Sequence, residues 1–80
     1  MTARVYVSLK TGLADPQGQT IKQALNEIGY EDIDEVRVGK FFDIHLKTDD
    51  KDEVRRILSE ISEKILANPV IENFTVGEIS

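Results

Sequence analysis

Residues 36–47, Val36-Arg37-Val38-Gly39-Lys40-Phe41-Phe42-Asp43-Ile44-His45-Leu46-Lys47, decide the predicted fold. The second half of this stretch has a period of two: one side of the backbone is apolar, with Phe42, Ile44 and Leu46, and the other side has Phe41, Asp43, His45 and Lys47. Such alternation is typical of a strand with one buried face. A shorter run, Val36–Val38, comes first, and Gly39-Lys40 separates the two. This arrangement predicts a β-hairpin with its turn at Gly39-Lys40.

A strand and a helix precede this hairpin. Residues 4–10 alternate in the same way and place Val5, Val7 and Leu9 on one face. Asp15-Pro16 then predicts a helix start, because Asp caps the free amides of a first turn and Pro is tolerated at the first helical position. An apolar stripe follows at helical spacing, formed by Ile21, Leu25 and Ile28 with Ala24 beside them.

A second helix and a last strand follow the hairpin. Asp50, after Thr48-Asp49, has Glu53 three residues later, as in a capping box. The apolar stripe of this helix consists of Val54, Ile57, Leu58, Ile61 and Ile65, and Asn68-Pro69 ends it. Residues 70–76 predict the last strand, but two sets of residues compete for its inner face, Phe74 with Val76 and Ile71 with Ile79.

The predicted order is strand, helix, strand, strand, helix, strand, within one domain spanning residues 1–80. This order predicts an α+β, ferredoxin-like split βαβ fold: a four-stranded antiparallel sheet with both helices on one face. The other sheet face is then uncovered and holds Tyr6, Phe41 and His45. Because an exposed aromatic face is typical of a docking surface, these three residues are predicted to mediate self-association, together with the sheet edges.

Composition excludes several classes of protein. The chain has 80 residues, a net charge of -5 and no cysteine. An acidic balance disfavours nucleic-acid binding, which depends on phosphate neutralisation. No apolar run approaches the ~20 residues of a membrane span. The lack of cysteine excludes disulfides, thiolate metal sites and a cysteine nucleophile, and it fits the reducing cytoplasm.

The residue patterns provide no catalytic, cofactor-binding or metal-binding constellation. His45 is the only histidine, and Asp43 is its only obvious partner in sequence. A freestanding enzyme built on His45 and Asp43 is the one catalytic alternative, and a His45→Ala change tests it. Gly39-Lys40 does not belong to a phosphate-binding loop, because such a loop needs Gly at the position of Asp34 and Ser or Thr at that of Phe41.

Taken together, the residues resemble the PurS family over nearly the whole chain, in order and at matching spacing. The segments that match are Leu9-Lys10, Asp15-Pro16-Gln17-Gly18, Ala24-Leu25, Gly29-Tyr30, Val36-Arg37-Val38-Gly39-Lys40 and Leu66-Ala67-Asn68-Pro69-Val70-Ile71-Glu72. PurS is the small subunit of phosphoribosylformylglycinamidine (FGAM) synthase in bacteria and archaea.

The resemblance implies a role in purine biosynthesis. The whole enzyme converts formylglycinamide ribonucleotide (FGAR), glutamine and ATP to FGAM, glutamate, ADP and phosphate. A glutaminase subunit releases ammonia with a cysteine nucleophile, and a large synthetase subunit uses ATP and magnesium. The family's small subunit forms dimers and brings the other two together, which helps to keep the ammonia path closed. The chain is thus expected to bind no cofactor itself.

Two groups of residues are predicted to contact the larger subunits. Asp15, Gln17 and Gly18 lie at the start of the first helix, and Arg37, Gly39 and Lys40 lie at the hairpin. Arg37 suits this role because a guanidinium binds a carboxylate through two parallel hydrogen bonds, and the glycines permit close approach of another backbone. The alternative is a small-molecule sensing module of the ACT type, which needs a Gly-rich first loop; here that loop is Thr11-Gly12-Leu13-Ala14.

Overall fold

The computed structural model describes residues 1–80 and contains three strands and two helices. The elements are β1 (Thr2–Leu9), α1 (Pro16–Glu27), β2 (Gly39–His45), α2 (Lys51–Ile61), a π-helical turn (Ser62–Leu66) and β3 (Glu72–Ile79). The strands form one sheet in the order β2-β1-β3, with β1 antiparallel to both neighbours. The α+β class and the antiparallel sheet are confirmed, and the prediction of four strands is wrong.

The missing strand is Val36–Val38, and its hydrogen-bonding groups explain why. The Val38 N–H donates to the Asp15 carboxylate at 2.7 Å, and the Val36 carbonyl lies against Gly18. The Val38 N–H is therefore used by the N-cap residue of α1, the Val36 carbonyl lies against that helix, and neither group belongs to the sheet. Gly39-Lys40 forms no hairpin turn; it begins β2, where Gly39 pairs with Ser8 and Lys40 with Val7.

The core lies between α2 and the inner face of the sheet. Its seven buried apolar residues come from β1, α2, the segment after it and β3: Ala3, Val5, Val7, Val54, Leu58, Ala67 and Ile79. Asp50 caps α2 as predicted, accepting from the Asp52 and Glu53 amides. α2 packs towards β3, and the inner residues of β2, Phe42 and Ile44, are only half-buried.

A β-bulge settles the ambiguous inner face of β3. Val5 pairs with Val76, but Ala3, two residues earlier, pairs with Ile79, three residues later. The additional residue reverses the alternation at Gly77, so Phe74 and Val76 face the core before the bulge and Ile79 faces it afterwards. Ile71 precedes the strand and is exposed.

The π-helical turn moves Ile65 out of the stripe of α2. The Ala67 N–H donates to the Ser62 carbonyl, a spacing of five residues. This wider turn rotates the residues within it relative to an α-helix. Ile65 is consequently 78% exposed, and its predicted place in the core stripe is wrong.

Helix α1 does not cover the sheet. None of the core residues, and none of the half-buried apolar residues packed around them, belongs to α1. The radius of gyration is 16.0 Å, whereas about 12 Å is typical of a compact chain of this length. The molecule measures 48 × 26 × 14 Å. The prediction of two helices on one sheet face is therefore wrong: α2 covers that face, and α1 extends away from it as an arm.

Candidate functional site

The structure presents two candidate interaction surfaces, and the first is the sheet face opposite α2. We call this the open face; its paired residues on β1 and β2 are Thr2 with His45, Arg4 with Asp43 and Tyr6 with Phe41. The alternation of β1 places Val5 and Val7 in the core and therefore turns Arg4 and Tyr6 to the other side. All three residues predicted for self-association, Tyr6, Phe41 and His45, share this face.

A cation and two aromatic rings form the centre of the open face. The Arg4 guanidinium binds Asp43 through two hydrogen bonds, from Nε to Oδ1 at 2.8 Å and from Nη2 to Oδ2 at 3.0 Å. It also lies over the Phe41 ring, 3.9 Å from its centroid, and the Tyr6 ring is 6.3 Å from that of Phe41. The Arg4 guanidinium lowers the pKa of Asp43, so this pair stays charged at neutral pH.

His45 does not form a catalytic pair with Asp43. Its Nδ1 lies 2.9 Å from the Thr2 hydroxyl, and both carboxylate oxygens of Asp43 are bound by Arg4. A general base needs an orienting group and a reaction partner, whereas His45 is at the edge of an exposed polar row. His45 therefore has the environment of an exposed surface residue.

The second candidate surface is the root of α1, where the arm joins the sheet. Asp15 is its centre: its Oδ1 accepts from the Gly18 N–H at 2.9 Å, which caps α1, and its Oδ2 accepts from the Val38 N–H at 2.7 Å. Only 5% of Asp15 is exposed. The Val38 and Gly18 amides lower the pKa of Asp15, because hydrogen bonds to a carboxylate favour its charged form.

Two glycines allow the backbones at this root to touch. A Cβ on Gly18 would lie 1.9 Å from the Val36 carbonyl oxygen, and one on Gly39 would lie 2.9 Å from the Val7 carbonyl oxygen. Both approaches occur within this chain. The close approach predicted for a partner's backbone is therefore made by the backbone of this chain.

Arg37 links the two chain segments on either side of the root. Its guanidinium donates to the Leu13 carbonyl at 2.7 Å and to the Lys10 carbonyl at 3.3 Å. It also lies 3.7 Å from a Glu35 carboxylate oxygen, with 35% of its side chain exposed. Arg37 thus holds the loop after β1 beside the segment before β2, and part of its guanidinium remains accessible.

An open cleft of about 430 Å³ lies beside the root, lined among others by Leu13, Asp15, Lys22, Asp34, Glu35 and Arg37. Two cations and two carboxylates in addition to Asp15 line it, so its charge is mixed. The loop that an ACT-type module would use, through Gly12 and Leu13, forms one wall. The cleft faces solvent and contains no concentration of apolar groups of the kind that encloses a small ligand.

The six predicted partner residues have different environments. Asp15, Gly18 and Arg37 hold the root together, and Gly39 lies at the start of β2, against the Val7 carbonyl. Gln17 is exposed at the start of α1, and Lys40 extends from β2 with 56% of its side chain exposed and Nζ 4.0 Å from Glu72. Whether any of the six contacts a larger subunit stays a prediction.

Sequence reasoning placed Arg4 at the flank of this sheet face and missed its pairing with Asp43 at the centre. Its pairing with Asp43 depends on the register between β1 and β2, which matches residues 39 positions apart. The alternation did place both residues on one face. The missing signal was the register, because a shift by two residues preserves the pattern and changes every pair.

The structure contains no group of three or more His, Cys, Asp or Glu side chains arranged to hold a metal ion. Both helices are too short and too polar to cross a membrane.

Comparisons with known proteins agree on one family. The family model PurS, phosphoribosylformylglycinamidine (FGAM) synthase, matches residues 2–78. The chain is 38% identical over 76 residues to the phosphoribosylformylglycinamidine synthase subunit PurS of Archaeoglobus fulgidus, covering 95% of both chains. It resembles Methanocaldococcus jannaschii PurS with a TM-score of 0.83 at 36% identity, covering 99% of this chain and 98% of that one. A chain in the structure of PurLQS from Thermotoga maritima gives a TM-score of 0.83 at 26% identity, covering 99% of each.

Proposed function

The chain belongs to the PurS family and is a subunit of FGAM synthase, and from this premise we propose that it acts there as a non-catalytic assembly subunit. It joins the glutaminase and synthetase subunits and supports the transfer of ammonia between them. The single observation that supports this most is the extent of the match, which covers 95% of this chain and 95% of a curated PurS relative. The same observation disfavours an ACT-type sensing module.

The chemistry of the ligase is assigned to the partners. The chain has no cysteine, so the glutaminase nucleophile is on another subunit. Asp15, its most buried carboxylate, is occupied by two backbone amides of its own chain. We therefore place ATP and magnesium on the synthetase subunit and the complex in the reducing cytoplasm, which suits a cysteine-free chain.

The root of α1 is the proposed contact with the larger subunits. The six residues Asp15, Gln17, Gly18, Arg37, Gly39 and Lys40 divide into a framework and an exposed part. The framework residues fix the shape of the root, and the exposed groups, Gln17, Lys40 and the accessible side of Arg37, are available to a partner. A preformed surface of this kind loses little conformational entropy on binding.

The open face is the proposed surface for self-association into a dimer or a larger homo-oligomer. Tyr6 is 48% exposed and Phe41 is 53% exposed, and aromatic residues are enriched at the centres of interfaces. The Arg4–Asp43 pair neutralises its own charges, so a second copy can cover it without meeting an unpaired ion. His45 lies at the rim.

Reconstitution tests the assembly function. The purified chain is mixed with the glutaminase and synthetase subunits of its own complex, and FGAM formation is measured with glutamine and with ammonia as nitrogen donor. We expect glutamine-dependent activity to require this chain and ammonia-dependent activity to persist without it. Full glutamine-dependent activity in its absence would contradict the proposal.

Single substitutions refine that experiment. Lys40→Ala and Gln17→Ala are expected to weaken co-elution with the larger subunits, because both side chains are exposed, Gln17 at the start of α1 and Lys40 on β2. Lys51→Ala, on the exposed start of α2, is the matched control and is expected to co-elute normally. His45→Ala is expected to retain activity; its loss with normal assembly would favour the catalytic alternative.

A further inference from the structure

The turn that leads into β3 presents aliphatic side chains to solvent. We call residues 68–71 the Asn-Pro turn. Pro69 is an ordinary turn residue, but Val70 beside it is 77% exposed and Ile71 is 40% exposed. Neither side chain belongs to the hydrophobic core or to the half-buried residues packed around it. These two residues are therefore free to contact another protein.

Asn68 and Glu72 fix the backbone of the Asn-Pro turn. The Asn68 side-chain oxygen accepts from the Val70 N–H at 3.1 Å. The Asn68 carbonyl accepts from the Ile71 N–H at 3.1 Å and from the Glu72 N–H at 2.7 Å. In return, the Glu72 carboxylate accepts from the Asn68 N–H at 2.8 Å. A turn held in this way loses little conformational entropy when a partner binds it.

The Asn-Pro turn is continuous with the residues proposed to contact the larger subunits. The Lys10 N–H donates to the Ile71 carbonyl at 2.8 Å, and the Lys10 carbonyl accepts from the Arg37 guanidinium at 3.3 Å. Lys40 Nζ lies 4.0 Å from the carboxylate of Glu72, which holds the turn. Arg37 and Lys40 are thus each connected to the turn through one residue. A subunit that contacts them also reaches the turn.

Lys10 adds a cation without an acidic partner to this surface. No carboxylate oxygen lies within 4.0 Å of its Nζ. Lys10 lines an open cleft of about 240 Å³ together with Pro69 and Phe74. Glu63, which is also in no ion pair, and Glu72 line the same cleft. Lys10 can therefore accept a carboxylate from a partner at the edge of the apolar turn.

We propose that the Asn-Pro turn inserts Val70 and Ile71 into an apolar pocket of the synthetase subunit, with a carboxylate of that subunit bound to Lys10. The proposal deepens the assembly function proposed above and rests on it. The synthetase is the occupant because its ammonia-dependent activity is expected to persist without this chain, which makes it the platform on which a small assembly subunit docks. The apolar contact stabilises the docked state, and the charge pair at its rim orients it.

Titration of the purified chain into the isolated synthetase subunit tests this site. Val70→Asp places an unpaired charge in the apolar contact, so the dissociation constant measured by calorimetry is expected to rise at least about tenfold. Ser59→Asp adds the same charge on the exposed side of α2; it is the matched control and is expected to bind as the parent does. Circular dichroism of both variants is expected to match that of the parent, because neither residue belongs to the core. Parent-like binding by Val70→Asp would overturn the proposal.

Two further results would also overturn it. If Val70→Asp bound the synthetase normally and the glutaminase weakly, the turn would belong to the glutaminase contact. If the variant bound both subunits normally and sedimentation showed weaker self-association, the turn would face a second copy. In either case the assembly function would stand as long as reconstitution required the chain. A parent chain that bound neither larger subunit would instead contradict the assembly function itself.

Lys10 gives a second test that leaves the turn unchanged. Lys10→Ala is expected to weaken synthetase binding about threefold or more at low salt and to make it less sensitive to ionic strength, because salt screens a charge pair at the rim of an interface. Lys51→Ala, at the exposed start of α2, is the matched control and is expected to keep the salt dependence of the parent. Dissociation constants at about 0.05 and 0.5 M NaCl measure the difference. Equal salt dependence in Lys10→Ala and the parent would overturn the carboxylate contact that the proposal requires.

Discussion

Asp15 joins three parts of the chain through one carboxylate. Its two oxygens bind the Gly18 amide in α1 and the Val38 amide before β2. The dipeptide Asp15-Pro16 predicted the cap on α1, because a cap is a local arrangement. The bond to Val38, 23 residues away, could not be predicted, since it depends on how the chain returns from α1 to the sheet.

Acid sensitivity is the first expected consequence of this carboxylate. Because its hydrogen bonds lower the pKa of Asp15 in the folded chain, ionised Asp15 stabilises the fold above the unfolded pKa of about 4. That stabilisation is lost as the pH falls from about 4 through the lower folded pKa. Urea unfolding at a series of pH values is therefore expected to show a steeper loss of stability below pH ~4 in the parent than in Asp15→Asn. Equal slopes would contradict the assigned role.

Gly18 gives the second prediction at this scale. In an open helix, replacing Gly with Ala stabilises by about 1 kcal/mol. At position 18 the new Cβ would lie 1.9 Å from the Val36 carbonyl oxygen, so Gly18→Ala is expected to destabilise the chain by about 1–3 kcal/mol. Urea denaturation measures the change.

Gln17→Ala is the matched control for Gly18→Ala. Its side chain is exposed one residue away on the same helix turn, and a change within about 0.5 kcal/mol is expected. A stabilised Gly18→Ala variant would show that the root opens without cost.

At the scale of elements, alternation predicted the three observed strands. The predicted hairpin at Gly39-Lys40 is wrong. Val36–Val38 has the composition of a short strand, but its Val38 N–H donates to Asp15 and its Val36 carbonyl lies against Gly18. Periodicity describes which side of the backbone is apolar, and it does not identify the partner of each amide. Periodicity also left the inner face of β3 ambiguous, because the bulge at Gly77 shifts the alternation. Phe74 and Val76 face the core before the bulge, and Ile79 faces it afterwards.

The stripe of α2 gives a prediction about its two ends. Leu58 is fully buried between α2 and the sheet, and Ile65 is 78% exposed on the π-helical turn. Leu58→Ala is expected to lower the free energy of unfolding by about 2–5 kcal/mol through cavity formation. Ile65→Ala is expected to change it by less than about 0.5 kcal/mol.

Chemical denaturation of both variants checks this pair. Spacing alone predicts that Leu58 and Ile65 belong to one buried stripe. The difference in unfolding free energy lost by the two variants therefore reports that the π-helical turn exposes Ile65. A large loss for Ile65→Ala in the monomer would mean that the turn is α-helical in solution.

At the scale of the whole molecule, the amphipathic character of α1 was predictable and its location was not. A stripe at helical spacing needs an apolar surface, but it fits the sheet of its own chain and that of a second copy equally well. The choice depends on the root, where long-range contacts of Asp15, Gly18 and Arg37 direct the helix away from the sheet. No local pattern contains that information.

A core of seven buried apolar residues in an 80-residue chain predicts that association supports the fold, because small cores give little stability alone. If folding is coupled to dimerisation, a tenfold rise in concentration stabilises the dimer by about 1.4 kcal/mol, or about 0.7 kcal/mol for each chain. For a domain of this size that corresponds to a rise in Tm of about 3–5 °C.

Calorimetry over a hundredfold range of concentration measures this slope. Phe41→Ala is the matched comparison, because the residue is 53% exposed on the open face and makes no contribution to the monomer's core. Its Tm is expected to vary less with concentration than that of the parent, since the variant forms fewer dimers at every concentration. A parent Tm that does not change over the whole range would mean that the three-stranded sheet and α2 are stable without a second copy, and self-association would then have no part in folding.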